Sequence, residues 1–174
     1  TLKTDGSRLV SGMGEATPWE NGISLHRTWG VPILPGSSLK GLAASFAATE
    51  IEDSQWHRDG DEKSTSHEAL FGSLEQAGTV VFHDAVFRSS NHGASPLGLQ
   101  IDTITVHHQE YYGTGNQPPA DWDSPIPVPF LSFSGELVFA LTGPKEWRDA
   151  ARELLQLALE HEGIGSKTSS GYGR

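Results

Sequence analysis

The sequence predicts an α+β domain of ferredoxin-like type, and three observations predict it. The apolar segments run strand, helix, strand, strand, helix. Both helices carry a one-sided apolar stripe at 3.6-residue spacing. The chain then enters a glycine-rich tail where the fourth strand of that pattern belongs, so the last strand is expected to be missing. At 174 residues the chain fits a single domain and can bury a core without cross-links.

Residues 8–13 read as a short strand running into turn formers. Residues 22–29 alternate, Ile23 and Leu25 against Ser24 and His26, as a weaker strand. Pro32 and Pro35 keep the next stretch extended. Gly36-Ser37-Ser38 opens the first helix, with either serine able to cap its free amides. Leu39, Leu42, Ala43 and Phe46 give that helix a core-facing stripe. Residues 79–82 (Thr-Val-Val-Phe) form a buried-type strand with Asp84 and Ala85 at its end. Residues 130–141 are the strongest strand, with Leu131, Phe133, Leu137, Phe139 and Leu141 apolar. Thr142-Gly143-Pro144 starts the second helix, where proline is tolerated and Glu146 suits the positive end of the dipole. Its stripe is Trp147, Ala151, Leu154, Leu155 and Ala158, and Gly163 ends it as a left-handed cap.

Two stretches interrupt this frame. Residues 50–68, with Asp53, Asp59, Asp61 and Glu62, read as a mobile acidic insertion, either a solvated loop or a subunit contact. Residues 88–128 carry Pro96, Pro118, Pro119, Pro125 and Pro127, with Pro129 adjoining. Inside them, residues 101–112 form a strand or one side of a hairpin arm. A connection this long is functional or disordered, and Tyr111, Tyr112 and Trp122 favour function.

Composition narrows the chemistry. There is no cysteine, which excludes disulfides, zinc ribbons and thiol nucleophiles and fits a reducing, cytoplasmic setting. No apolar run approaches the ~20 residues of a membrane span. The start, Thr1-Leu2-Lys3, has neither Met nor a signal-peptide pattern, as expected of a trimmed or fragmentary segment. Twelve basic against 22 acidic residues leave a net charge of −10, the wrong sign for a protein that captures nucleic acid alone. Residues 163–174, however, hold Lys167 and Arg174 and no acid. Charge therefore argues against long-range capture and leaves room for local RNA contact inside an assembly.

The candidate sites follow from residue chemistry. In the tail, glycines such as Gly165 let amides approach an anion closely. Lys167 and Arg174 add charge, Ser166, Thr168 and Ser169 add hydroxyls, and Tyr172 adds a ring. The bland alternative is a flexible surface loop. It is not a nucleotide-binding P-loop, because Ser166 and His161 stand where that motif needs glycines and the loop follows a helix. Gly36, Ser37, Ser38 and Lys40 lie at a helix N-terminus, a natural phosphate site, or form an ordinary capped helix with a solvated lysine. His26, Arg27 and Trp29 can stack on or pair with RNA; core packing of Trp29 and a solvated face for the other two are equally open. His107 and His108 are neighbours on a strand and point to opposite faces, so they do not easily share one metal; the hairpin carrying His107 either faces RNA, rests on a neighbouring subunit or is plain structure, and His107 is its RNA-binding candidate. A ribonuclease assembled from His83, Asp84, Asp102 and His107 requires a geometry that the spacing does not supply. No cofactor or metal is expected.

Five ordered motifs carry a family resemblance. Pro35-Gly36-Ser37-Ser38-Leu39-Lys40-Gly41 resembles the signature opening the first helix of the RAMP superfamily of CRISPR proteins, and residues 163–174 resemble its C-terminal glycine loop. Phe71-Gly72 followed by residues 78–85 resembles its second-strand region. Residues 102–112 and 121–131 resemble stretches of the sixth Cmr subunits of type III-B systems, with Val106 and His108 departing from that pattern. The resemblance implies an RRM-like RAMP fold with an inserted thumb-like region. It also implies a non-catalytic structural subunit lying along guide RNA near its 3′ part and close to target RNA. The implied neighbours are the repeated backbone RAMP subunit, the small helical subunit and the capping RAMP subunit. Two rivals remain: a metal-independent RAMP endoribonuclease processing CRISPR RNA, motivated by the histidines, and a protein-interaction module without RNA contact, motivated by the acidic balance.

Overall fold

The first helix begins where a side chain does not fit. A Cβ on Gly36 would run into the Phe82 carbonyl oxygen, so glycine lets the chain pass against the neighbouring strand before helix α1, Gly36–Glu50, rises. The computed structural model describes residues 1–4, 7–13, 21–57, 65–88, 98–115 and 118–174. Leu39, Ala43 and Phe46 of the expected stripe are buried and Ala47 joins them, while Leu42 is half-buried.

The sheet is antiparallel and mixed in its chain order. Strands β1 (Leu2–Lys3), β2 (Ile33–Leu34), β4 (Ala85–Arg88) and β7 (Glu136–Val138) line up as β1-β7-β4-β2. Strand β3 (Val81–Phe82) pairs antiparallel with β8 (Leu141–Thr142) in a separate two-stranded sheet. Helix α4, Lys145–His161, packs beside α1, burying Ala151, Leu154, Leu155 and Ala158. Phe133, Leu34, Leu39, Leu70, Leu137 and Leu155 are the largest side chains sealed in the core.

The expected strand at residues 8–13 contracts to one bridge, Leu9 with Phe133, yet the segment is tied on both edges. Leu9 exchanges backbone bonds with Phe133 (2.7 and 2.9 Å), while the Arg8 and Val10 carbonyls accept from Gly173 and Ser166 (both 2.8 Å). The expected strand at residues 22–29 is likewise a tight turn closed by a Leu25–Pro32 bridge. The long strand at residues 130–141 breaks at Gly135, φ +146°, where a Cβ would strike the Phe87 ring, and so becomes β6 (Ile126–Phe133), β7 and β8.

The insertions have structure of their own. Between residues 50 and 68 the chain forms a one-turn helix at Ser54–Trp56, capped by the Asp53 carboxylate on the Gln55 amide, and then α2, Thr65–Phe71, packs on α1. Asp59, Asp61 and Glu62 lie outside the described residues, as does Pro96. The second insertion is a two-stranded arm: β5, Leu99–Val106, pairs with β6 from Leu99–Phe133 to Val106–Ile126. Helix α3, Gln109–Thr114, follows β5 and exposes Tyr111 and Tyr112, with Trp122 also exposed in the return to β6.

Candidate RNA interface

The two turns singled out in the sequence lie together. Ser38 and Leu42 of α1 share a cleft of about 430 Å³ with Gly163, Gly165, Ser166 and Thr168 of the tail and Ser11 of the bridging segment. Four hydroxyl residues line it (Ser11, Ser38, Ser166 and Thr168), of which Ser11 already donates to the Ile33 carbonyl (3.0 Å), and Glu162 supplies one carboxylate. The α1–α4 packing brings the two turns side by side.

The glycine loop is built differently from an open anion nest. The amides of Gly163, Ile164, Ser166, Ser170, Gly171, Tyr172 and Gly173 all donate to carbonyls of the chain itself. Among the described residues, the amides of Gly165, Lys167, Thr168 and Ser169 have no acceptor. Two glycines are required by close approach. A Cβ on Gly165 would lie 2.5 Å from the Val10 carbonyl oxygen, and one on Gly173 would overlap the Ile164 carbonyl.

At the helix start, neither serine caps. Pro35 occupies the cap position, and the Gly36 amide donates to the Asp84 carboxylate (2.7 Å). The protein thus places its own anion at the first amide of the helix. Ser37 and Lys40 turn to the opposite side of α1. There, with Gly41, Ser45, Glu68 and Ser73, they line a second cleft of about 590 Å³ against α2. Lys40 is in no ion pair among the described residues.

The remaining candidates separate. His26 and Trp29 stack at 4.2 Å and 15°, with the Thr28 and Trp29 amides donating to His26 Nδ1. Trp29 is 66% exposed, so the core alternative for it does not hold, and Arg27 is exposed beside it. Lys167, at φ +65°, carries its ammonium 5.5 Å from the Phe130 ring centre. Arg174 donates to the His161 carbonyl (3.2 Å), and its amide donates to Ser7 (3.0 Å). His107 is exposed at the end of β5, while His108, in a left-handed turn, contacts Asp123 at 2.7 Å. That hydrogen bond, then the Ala120 amide, holds the Asp123 carboxyl below its ordinary value.

The four groups weighed for a ribonuclease are not brought together. His83 shares a hydrogen bond with Thr142 (3.1 Å), Asp84 holds the start of α1, and Asp102 is engaged at the foot of the arm. Among the described residues no group of three or more His, Asp or Glu side chains is placed to hold a metal, and no helix is long and apolar enough to cross a membrane.

The joint at Asp102 is the feature that residue-by-residue reading missed. Its carboxylate pairs with Arg8 (2.9 Å) and accepts from Ser132 (2.6 Å) and Tyr172 (3.1 Å), while Arg8 also donates to Gln100 (2.7 Å). Arg8 lies over the Tyr172 ring (5.8 Å), and Phe130 meets that ring edge-on at 5.7 Å. Burial, then the hydrogen bond to Asp102, raises the Tyr172 pKa, which keeps the phenol protonated and donating. Bridging segment, arm and glycine loop therefore meet on one carboxylate. The available signal was an isolated acid inside a period-two strand, a position that demands a partner. Asp102→Ala strands the fully buried Ser132 hydroxyl and the Arg8 guanidinium. We expect a loss of about 2–3 kcal/mol in urea unfolding, with Asp102→Asn retaining part of it.

A model of the RAMP superfamily matches residues 1–174. The CRISPR system Cmr subunit Cmr6 of Pyrococcus furiosus is 31% identical over 97% of this chain; the chain spans 64% of that protein's length. The crystal structure of Cmr6 from Pyrococcus furiosus superposes with a TM-score of 0.56 at 29% identity, covering 97% of this chain and 92% of that one. A chain in the cryo-EM structure of the type III-B Cmr-beta bound to cognate target RNA gives a TM-score of 0.70, covering 96% of this chain and 53% of its own. At 21% identity this last match speaks to the fold.

Proposed function

The chain belongs to the RAMP superfamily, and from that membership we propose that it is a non-catalytic, RNA-holding subunit of a type III-B CRISPR ribonucleoprotein. The observation that carries the reading is the cleft where Ser38 of α1 meets Gly165, Ser166 and Thr168 of the glycine loop. Hydroxyls and unspent amides suit the oxygens of a sugar-phosphate strand. Lys40 on the far side of the same helix and Lys167 on the loop supply charge at short range, consistent with weak binding by a chain of net charge −10. The same reading takes the sheet and the α1/α4 layer as a ferredoxin-like frame, with the segment at residues 8–10 offering its outer edge to the tail. In the assembly it holds guide RNA near its 3′ part, close to target RNA. Its neighbours are the repeated backbone RAMP subunit, the small helical subunit and the capping RAMP subunit.

Ser38→Glu tests the cleft. Ser38 is exposed in the first helical turn, where a carboxylate suits the dipole, so the fold is kept while an anion enters the cleft. The reassembled complex with Ser38→Glu loses guide RNA at salt concentrations the parent tolerates. Lys40→Ala/Lys167→Ala flattens the slope of log affinity against log salt by about 1.4, roughly 0.7 for each single-strand phosphate that is no longer neutralised. Unchanged retention by both variants rejects the cleft as the RNA site. The purified parent chain, incubated in EDTA with a repeat-containing transcript, leaves the RNA intact; cleavage would assign it chemistry of its own.

A further inference from the structure

The two edges of the arm are not equivalent. Phe133 exchanges both backbone bonds with Leu9, so it turns its N–H and C=O away from β5. Because the ladder alternates, Leu131, Pro129 and Pro127 also turn theirs outward, while Ser132, Phe130 and Val128 face β5. The two prolines thus stand where their missing N–H groups cost the ladder nothing, and they remove two donors from the outer edge of β6. The Pro129 carbonyl there is already used by Asn21 (3.1 Å).

The outer edge of β5 has no such protection. By the same parity Ile101, Thr103 and Thr105, opposite Leu131, Pro129 and Pro127, direct N–H and C=O outward. None of those six backbone groups has a partner among the described residues. All three residues are exposed, and Ile101 is 76% exposed. An intact donor–acceptor row at two-residue spacing is complementary to a polypeptide strand, whose own row has the same repeat.

Charge then selects the partner. Residues 99–133 contain Asp102, Glu110, Asp121 and Asp123 and no Lys or Arg. Asp102 is answered by Arg8 and Asp123 is held by His108, whereas the exposed Asp121 is in no ion pair among the described residues. An arm without lysine or arginine does not neutralise phosphates, and two copies of a chain of net charge −10 repel each other. We propose that the β5 edge receives an extended, basic segment of a partner protein, which adds a third strand to the arm across Ile101, Thr103 and Thr105. This site is separate from the cleft and does not depend on the RNA reading.

The probe is a short synthetic peptide alternating lysine and valine, added in excess to the full chain, with amide hydrogen exchange followed residue by residue. We expect the Ile101, Thr103 and Thr105 amides to slow on addition of peptide. In Thr103→Pro/Thr105→Pro, which copies the outward prolines of β6 and itself removes the amides at 103 and 105, the reporter is the Ile101 amide: it should stay at its free rate when peptide is added, while the Gln100, Asp102 and Ile104 ladder amides remain protected. Should the double variant not fold, the same peptide N-methylated at alternate residues gives the equivalent control on the unaltered chain, and its failure to protect supports the proposal. Three results overturn it: peptide that leaves all three amides at their free rates, the same amides already protected by concentration-dependent pairing of the chain with itself, or protection by an oligouridylate instead of the peptide.

Discussion

Phe133→Ala is expected to lower stability by about 3–5 kcal/mol, the cost of deleting a sealed aromatic and leaving its cavity. For a domain of this size that corresponds to a fall in melting temperature of roughly 6–20 °C, readable by calorimetry. Phe133 is fully buried, meets Phe87 edge-on at 6.2 Å, and is the point where the bridging segment, the arm and the sheet converge. Its backbone bonds Leu9 on one edge, and its register partner on the other is Leu99. The ring therefore fixes the base of the arm as well as the core. Loss at this position should loosen β5–β6 pairing in hydrogen exchange before the α1–α4 layer opens. Phe133→Leu keeps most of the volume and should recover more than half of the loss.

That convergence explains what the sequence could and could not reveal. The two helices were legible because each is written in local spacing: Leu39, Ala43 and Phe46 on one, Ala151, Leu154, Leu155 and Ala158 on the other. Gly163 as a left-handed cap, φ +75°, was legible for the same reason. The strands were blurred because their lengths are set by partners far away in the chain. Residues 8–13 have strand composition, yet one residue makes the bridge, and the rest of the segment serves the glycine tail through Arg8 and Val10. The single strand expected at residues 130–141 is divided by Gly135, whose positive φ and contact with Phe87 belong to the packing of another strand.

The site was legible in the same uneven way. Motifs singled out the first helical turn and the glycine loop, and Ser38 shares a cleft with Gly165, Ser166 and Thr168. Motifs did not say that Ser37 and Lys40 would fall on the other flank of the helix, although residues 37 and 38 differ by about 100° around its axis. They also did not say that Asp84 would occupy the Gly36 amide, a hydrogen bond between residues 48 positions apart. The Arg8–Asp102–Tyr172 joint spans the whole chain, and no local period encodes it.

Gly173→Ala is the second large effect, and comparison with Gly171→Ala isolates its cause. Both glycines hold positive φ, +72° and +87°, so either substitution costs about 1 kcal/mol in backbone strain. Around Gly171 a Cβ meets nothing within 4 Å, and the cost should end there. At Gly173 the added carbon would overlap the Ile164 carbonyl, whose own amide donates to Gly173 O at 2.9 Å, and the two backbones cannot separate without breaking that bond. The neighbouring bond from the Gly173 amide to Arg8 O would be displaced with it. We therefore expect a total of roughly 2–4 kcal/mol for Gly173→Ala, measured by urea unfolding. The functional consequence should exceed the thermal one, because the loop that moves is the wall of the cleft opposite Ser38. A folded Gly173→Ala complex should release guide RNA at lower salt than the parent, while Gly171→Ala retains it. Equal stabilities and equal RNA retention for the two variants would mean that the glycine loop is not held in the closed form described above.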